Sequence, residues 1–194
     1  MQLDNDLQSI QEMRDLVARA KAAQIEFRAY DQTRVDRIVK AMADAGFAAA
    51  DRLGRLAHEE TGFGKPEDKR AKNEFATRRV WESIKDLKSV GVIREDLEKR
   101  IIDIAEPMGV VAALIPSTNP TSTAMFKAII SVKGRNAVVA SPHPKSARST
   151  FEAMQIMAHA AETAGAPHGL IACLSMPTLK ATNALMKHKL ISII

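Results

Sequence analysis

Gly109-Val110-Val111-Ala112-Ala113-Leu114-Ile115-Pro116-Ser117-Thr118-Asn119-Pro120-Thr121 is the stretch on which the fold turns. Residues 109–115 are apolar without a break, the composition of a strand covered on both faces, as in a parallel sheet. Pro116 and Pro120 then stiffen a loop in which Ser117, Thr118 and Asn119 supply short donors and acceptors. In open α/β sheets ligands gather beyond the carboxyl ends of strands, which makes this loop a candidate site. The same residue types also suit a turn entering a helix N-cap, so the pattern leaves both readings open.

Downstream, the pattern alternates. A helix is expected over 123–131, a strand over 137–140, and a long helix over 146–164 ending at Gly165, which suits a C-cap. A strand-like run at 169–174, a helical one at 178–187 and an apolar one at 190–194 follow. Strands and helices alternating at this spacing imply right-handed crossovers and a parallel sheet. A second strand-end loop, Ser141-Pro142-His143-Pro144-Lys145, joins the first. Parallel strands point their carboxyl ends the same way, so the two loops are expected to form one groove. There His143 would pack on a base or ribose and Lys145 would meet a phosphate; a plain rigid turn is the alternative.

Upstream the period is helical. Leu7, Ile10, Leu16, Val17 and Ala20 recur on one face, and Thr33 is the expected cap of a second helix running from Val35 to Leu56. Gly62 and Gly64 break the pattern, and Pro66 suits the first residue of a third helix bearing Phe75, Trp81, Ile84 and Leu87. From Gly91 the period changes again. Residues 91–93 and 100–105, with a charged turn between them, read as a hairpin. The fold class is therefore α/β: N-terminal helices (1–90) and a hairpin (91–107), then part of a doubly wound, Rossmann-like sheet (108–194).

The 28 Lys and Arg against 23 Asp and Glu give a net charge of +5, with both signs interspersed. Aromatics are only 4%, so the aromatic-basic weave of a single-strand nucleic-acid surface is missing and no nucleic-acid partner is expected. The apolar runs are too short to span a bilayer and there is no signal-peptide pattern, so the expected setting is cytoplasmic. No metal site is expected: His58, Glu59 and Glu60 fall on different helical faces, and His159, His168 and His188 lack ligand spacing. Neither common glycine-rich phosphate loop is present. Cys173, the single cysteine, lies in an apolar run and reads as core.

These segments together resemble the acylating, coenzyme A-dependent aldehyde dehydrogenases, including the dehydrogenase half of the bifunctional aldehyde-alcohol dehydrogenases. The resemblance is carried by Glu60-Thr61-Gly62-Phe63-Gly64, Glu67-Asp68-Lys69, Lys72-Asn73, Phe75-Ala76 and Ile104-Ala105-Glu106-Pro107-Met108-Gly109. It continues through residues 116–123, Phe126-Lys127, Arg135-Asn136, Ser141-Pro142-His143-Pro144, Ala164-Gly165-Ala166-Pro167 and residues 181–186.

The resemblance implies a nucleotide-binding domain that takes NAD or NADP, with coenzyme A as co-substrate and a small aldehyde as substrate. It implies that Ile115 and Pro116 border the cofactor and that the Ser117 to Asn119 loop lines the nicotinamide end of the site. Ser141, Pro142, His143 and Pro144 would hold the adenosine end. In the wider superfamily an Asn of this loop donates to the developing oxyanion. Here Thr118 stands in the usual place and Asn119 one position later, so both are the candidate catalytic contacts. Ser141 replaces the lysine that commonly meets the adenosine ribose. The hairpin would belong to a homodimer or larger oligomer contact. The family's nucleophilic cysteine, glycine-rich loop and catalytic domain would all follow residue 194, so the chain reads as a truncated fragment, inactive alone. A non-catalytic nucleotide-binding or assembly module of the same fold is the alternative.

Overall fold

A computed structural model of the protein describes residues 4–194. Five helices come first: α1 Asn5–Phe27, α2 Gln32–Ala48, α3 Ala50–Thr61, α4 Pro66–Glu74 and α5 Val80–Ile84, with a π-helical turn, Phe75–Arg79, between the last two. The cap of α2 is Asp31, whose side chain accepts from the Arg34 N–H, and not Thr33. The single second helix expected from the periodicity is two, α2 and α3, parted at Ala49 (φ −88°, ψ 0°). Pro66 does open α4. Leu7 is exposed, whereas Val17 and Ala20 are fully buried, in a stripe of α1 that runs from Ser9 and Met13 to Phe27.

Strands β1 Gly91–Asp96 and β2 Ile101–Ala105 form the antiparallel hairpin. Its root is held by Arg135, whose guanidinium donates to the Arg28 carbonyl at 2.6 Å and the Ala105 carbonyl at 2.8 Å. The parallel sheet follows: β3 Val110–Ile115, α6 Pro120–Lys133, β4 Ala137–Pro142, a 3-10 turn Pro144–Ser146, α7 Ala147–Thr163, β5 Ile171–Cys173, α8 Leu179–Met186 and β6 Ile191–Ile193. The strand order is β5-β4-β3-β6, all parallel. The chain thus steps outward from β3 to β5, then returns across the sheet to pair β6 with β3. Helices α6 and α7 pack on one face with α2, while α1 and α8 pack together. This is the doubly wound arrangement, with its reversal of direction at β3.

One apolar core joins Val17, Phe27 and Ile38 of the N-terminal helices to Val110, Val138, Ile129 and Met157 of the sheet and its helices. Every residue of β4 is buried, as the apolar run Ala137–Ala140 demands, and the one polar member, Ser141, is hydrogen-bonded. Strand β4 runs two residues past the expected 137–140, so that Ile115 pairs with Pro142 and Leu114 with Ser141. Pro142 is tolerated there because pairing with β5 ends at Ala140, and the bond to Ile115 is donated by the His143 N–H.

Candidate functional site

The β3–β4 register sends both candidate loops out at the same end of the sheet, and the His143 N–H donates to the Ile115 carbonyl at 2.9 Å. Beyond that point they part. Ile115, Ser141, Pro142, His143 and Pro144 line one hollow of about 290 Å³ with Leu114, Thr178, Leu179 and Thr182. Asn119 lines a second, of about 610 Å³, with Ala71, Lys72, Phe75, Ala76, Ser122, Thr123 and Phe126. Pro116, Ser117 and Thr118 line neither. The single groove expected from the sequence is therefore two hollows at one end of the sheet.

In the first hollow, the Ser141 and Thr182 hydroxyls share a hydrogen bond of 2.8 Å. Thr178 caps α8, its side chain accepting from the Ala181 N–H. His143 is exposed, and its Nδ1 accepts from the Lys145 N–H at 3.1 Å, which fixes the ring over the turn. Apolar walls with a few hydroxyls at one rim suit a flat heterocycle carrying a sugar. Lys145 is exposed and does not line the hollow.

The second hollow is shaped by α4. The Lys69 ammonium donates to the Thr118 carbonyl at 3.0 Å, and the Lys72 ammonium donates to Asn119 Oδ1 at 2.9 Å. Asn73 donates to the Ala50 carbonyl at 3.0 Å and accepts from the Thr121 hydroxyl at 2.8 Å. Burial, and secondarily the nearby Lys72 charge, hold the Lys69 ammonium below its ordinary pKa. Asn119 occupies the N-cap position of α6, yet its side chain makes no capping bond. Of the two readings the sequence left open, the helix-cap one is thus not how the side chain is used.

Local sequence reading did not find Lys69, Lys72, Thr178 or Thr182 as site residues. All but Thr178 lie in segments that carried the family resemblance, which was the available signal. Glu60, which the sequence marks only as one of three residues spread over different helical faces, accepts from the Arg148 and Ser149 N–H groups at 2.8 and 2.7 Å, at the start of α7. Cys173 is buried, and burial first, then the Glu12 carboxylate, push its thiol pKa far up. No cluster of three or more His, Cys, Asp or Glu able to hold a metal occurs among the described residues. Nor is any helix among them long and apolar enough to cross a membrane.

The parallel sheet reversing at β3, with polar loops leaving its carboxyl end, is a doubly wound α/β frame, and the aldehyde dehydrogenase family matches residues 6–194. The chain belongs to that family. It is 43% identical over 186 residues to the bifunctional aldehyde-alcohol dehydrogenase AdhE of Escherichia coli K12, covering 96% of this chain and 21% of that protein. The crystal structure of an acetylating aldehyde dehydrogenase from Geobacillus thermoglucosidasius is 57% identical, with a TM-score of 0.96, over 98% of this chain and 42% of that one. That of Rhodopseudomonas palustris propionaldehyde dehydrogenase, with bound CoA and an acylated cysteine, is 27% identical with a TM-score of 0.77, over 92% and 40%. The chain thus spans between 21% and 42% of the length of these relatives.

Proposed function

We propose that this chain is the N-terminal, cofactor-binding portion of an acylating aldehyde dehydrogenase. The whole enzyme converts an aldehyde, coenzyme A and NAD(P)+ to an acyl-CoA, NAD(P)H and a proton, by way of a cysteine thioester. The observation that carries this reading is the β3–β4 register, which sets Ile115 beside Ser141–Pro144 in one hollow at the carboxyl end of the sheet. Residues 108–194 are the first part of the nucleotide-binding domain, and the N-terminal helical segment, described from residue 4 to 90, packs on it.

The residues present fit the adenosine end of a nicotinamide dinucleotide. Pro142, Leu179 and Ile115 give apolar walls for a base, and the paired Ser141 and Thr182 hydroxyls face a ribose. Ser117, Thr118 and Asn119 lie on the side of the nicotinamide and aldehyde. When bound, the nicotinamide accepts the hydride. Asn119 would be the donor to the reacting carbonyl, since it lines the Phe75–Phe126 hollow. Cys173 does not serve as the nucleophile: it is buried, its thiol is held protonated, and it lines neither of the two hollows. The exposed Ile101, Ile102 and Ile104 of the hairpin support its use as the contact of a homodimer or larger oligomer. A cytoplasmic setting belongs to the same reading.

The test is titration of NAD+ and of NADP+ into the 194-residue protein, followed by backbone amide NMR. Shifts are expected at Ile115, His143 and Thr182, and millimolar nucleotide leaving all three unmoved would overturn the cofactor assignment. Supplied with aldehyde and coenzyme A as well, the chain alone should form no thioester.

A further inference from the structure

We infer that Lys69 and Lys72 of α4 are positioning residues for the loop after β3, and that Lys72 turns the Asn119 amide so that its N–H2 group is presented to the Phe75–Phe126 hollow as a hydrogen-bond donor. The identity of the acceptor as a substrate carbonyl rests on the function proposed above; the orientation does not.

A lysine ammonium has donors only, whereas an asparagine amide has an acceptor at one end and donors at the other. With Lys72 Nζ at 2.9 Å from Oδ1, the acceptor end is taken. Flipping the amide would set N–H2 against an ammonium, donor against donor. The donor end therefore points away from Lys72, and among the described residues Nδ2 has no hydrogen-bond partner. The usual competitor for Oδ1 is also absent, since Asn119 stands at the N-cap of α6 without capping it.

Lys69, Lys72 and Asn73 share one face of α4, because positions i, i+3 and i+4 of a helix adjoin. They take hold of Thr118, Asn119 and Thr121 respectively, three nearly consecutive residues running from the loop into the first turn of α6. The helix is itself braced on α3 at Gly54, where even a Cβ would lie 2.9 Å from the Arg70 nitrogen. The segments Glu67-Asp68-Lys69 and Lys72-Asn73, otherwise unexplained by the site, thereby acquire a task. The hollow they complete offers one amide donor beside a cation, walled by Phe75, Ala76 and Phe126. It suits a small carbonyl compound with an apolar body.

The probe is N,N-dimethylpropionamide, a neutral carbonyl acceptor with no N–H of its own, titrated into the 15N-labelled 194-residue protein. The Asn119 side-chain N–H2 pair, assigned with Asn119→Ala, is expected to move downfield. In Lys72→Met that shift should be lost, and in Lys72→Arg, which again offers donors only, it should return. An unchanged shift in Lys72→Met, or no shift in the wild-type protein, would overturn the proposal. Lys72 is exposed, so Lys72→Met should fold, which its backbone spectrum reports. The NAD+ and NADP+ titrations are read at Ile115, His143 and Thr182; their failure would strike the cofactor reading and leave the Asn119 result standing.

Discussion

Replacing Glu60 with alanine should destabilise the protein by about 2 kcal/mol, and the structure shows where that loss comes from. Helix α7 is 17 residues long, and Ser146, its N-cap, makes no side-chain capping bond. The carboxylate of Glu60, at the end of α3, fills that role by accepting from two successive N–H groups at 2.8 and 2.7 Å. In Glu60→Ala, water can reach the Arg148 N–H, since Arg148 is exposed, but Ser149 is fully buried. Orphaning one buried donor costs about 1–3 kcal/mol. Removing a negative charge from a helix N-terminus adds roughly 0.3–1 kcal/mol. At about 2–4 °C per kcal/mol for a chain of this size, the Tm should fall by roughly 4–8 °C. Glu60→Gln keeps one acceptor oxygen and should lose about half as much. Urea denaturation followed by far-ultraviolet circular dichroism gives the free energy, and hydrogen exchange at Ser149 localises it. If Glu60→Ala lies within about 0.5 kcal/mol of the wild type, the range of an ordinary surface substitution, and Ser149 exchanges no faster, the reasoning is refuted.

Cys173 should resist thiol reagents in the native protein and react only as fast as the chain opens; prompt labelling would contradict its burial. Its folded pKa is raised above the ordinary 9.0, so the unfolded chain loses the proton first. Stability should therefore fall as pH rises past 9.0, by up to about 1.4 kcal/mol per unit, a fall that Cys173→Ala lacks in a comparison of urea midpoints. Gly54→Ala would gain about 1 kcal/mol in helix propensity but drives a Cβ against the backbone of Pro66 and Arg70. Overpacking of that kind costs about 1–3 kcal/mol, so a net loss is expected, and a more stable variant in thermal melts would show that α3 and α4 can separate freely.

The sheet was legible in the sequence because its strands are short apolar runs bounded by proline and glycine, and because the change of period at Gly91 is sharp. The break between α2 and α3 was not, since Ala48-Ala49-Ala50 contains no breaker and every residue favours helix. The π-helical turn at Phe75–Arg79 was equally hidden, because one extra residue in a helical turn leaves no local mark. Ser141, His143 and Asn119 could be picked out by type and place. Their partners could not: Thr182 meets Ser141 across 41 residues, Lys72 meets Asn119 across 47, and Glu60 meets Arg148 across 88. Such contacts are made by tertiary packing, and no local period records them.

Those long-range contacts share one source. Helix α4 grips the loop after β3 through Lys69, Lys72 and Asn73, while Glu60 at the end of α3 fixes the start of α7, just past the turn after β4. The two helices are pressed together at Gly54, so they act as one brace on both strand-end loops. The sheet by itself sets only where the loops leave it. Their course afterwards, and hence the separation into two hollows, is decided by side chains that lie before the sheet in the sequence. Loops held only by their own prolines would keep stiff backbones but free side-chain amides and hydroxyls. Held by α3 and α4, they present a fixed donor at Asn119 and a fixed turn at His143. Preorganised donors of this kind need no rearrangement when charge develops, which is what the carbonyl-handling site proposed above would require. The N-terminal helices are thus part of the site's construction, although apart from Lys72, Phe75 and their alanine neighbours in the second hollow they contribute little of its lining.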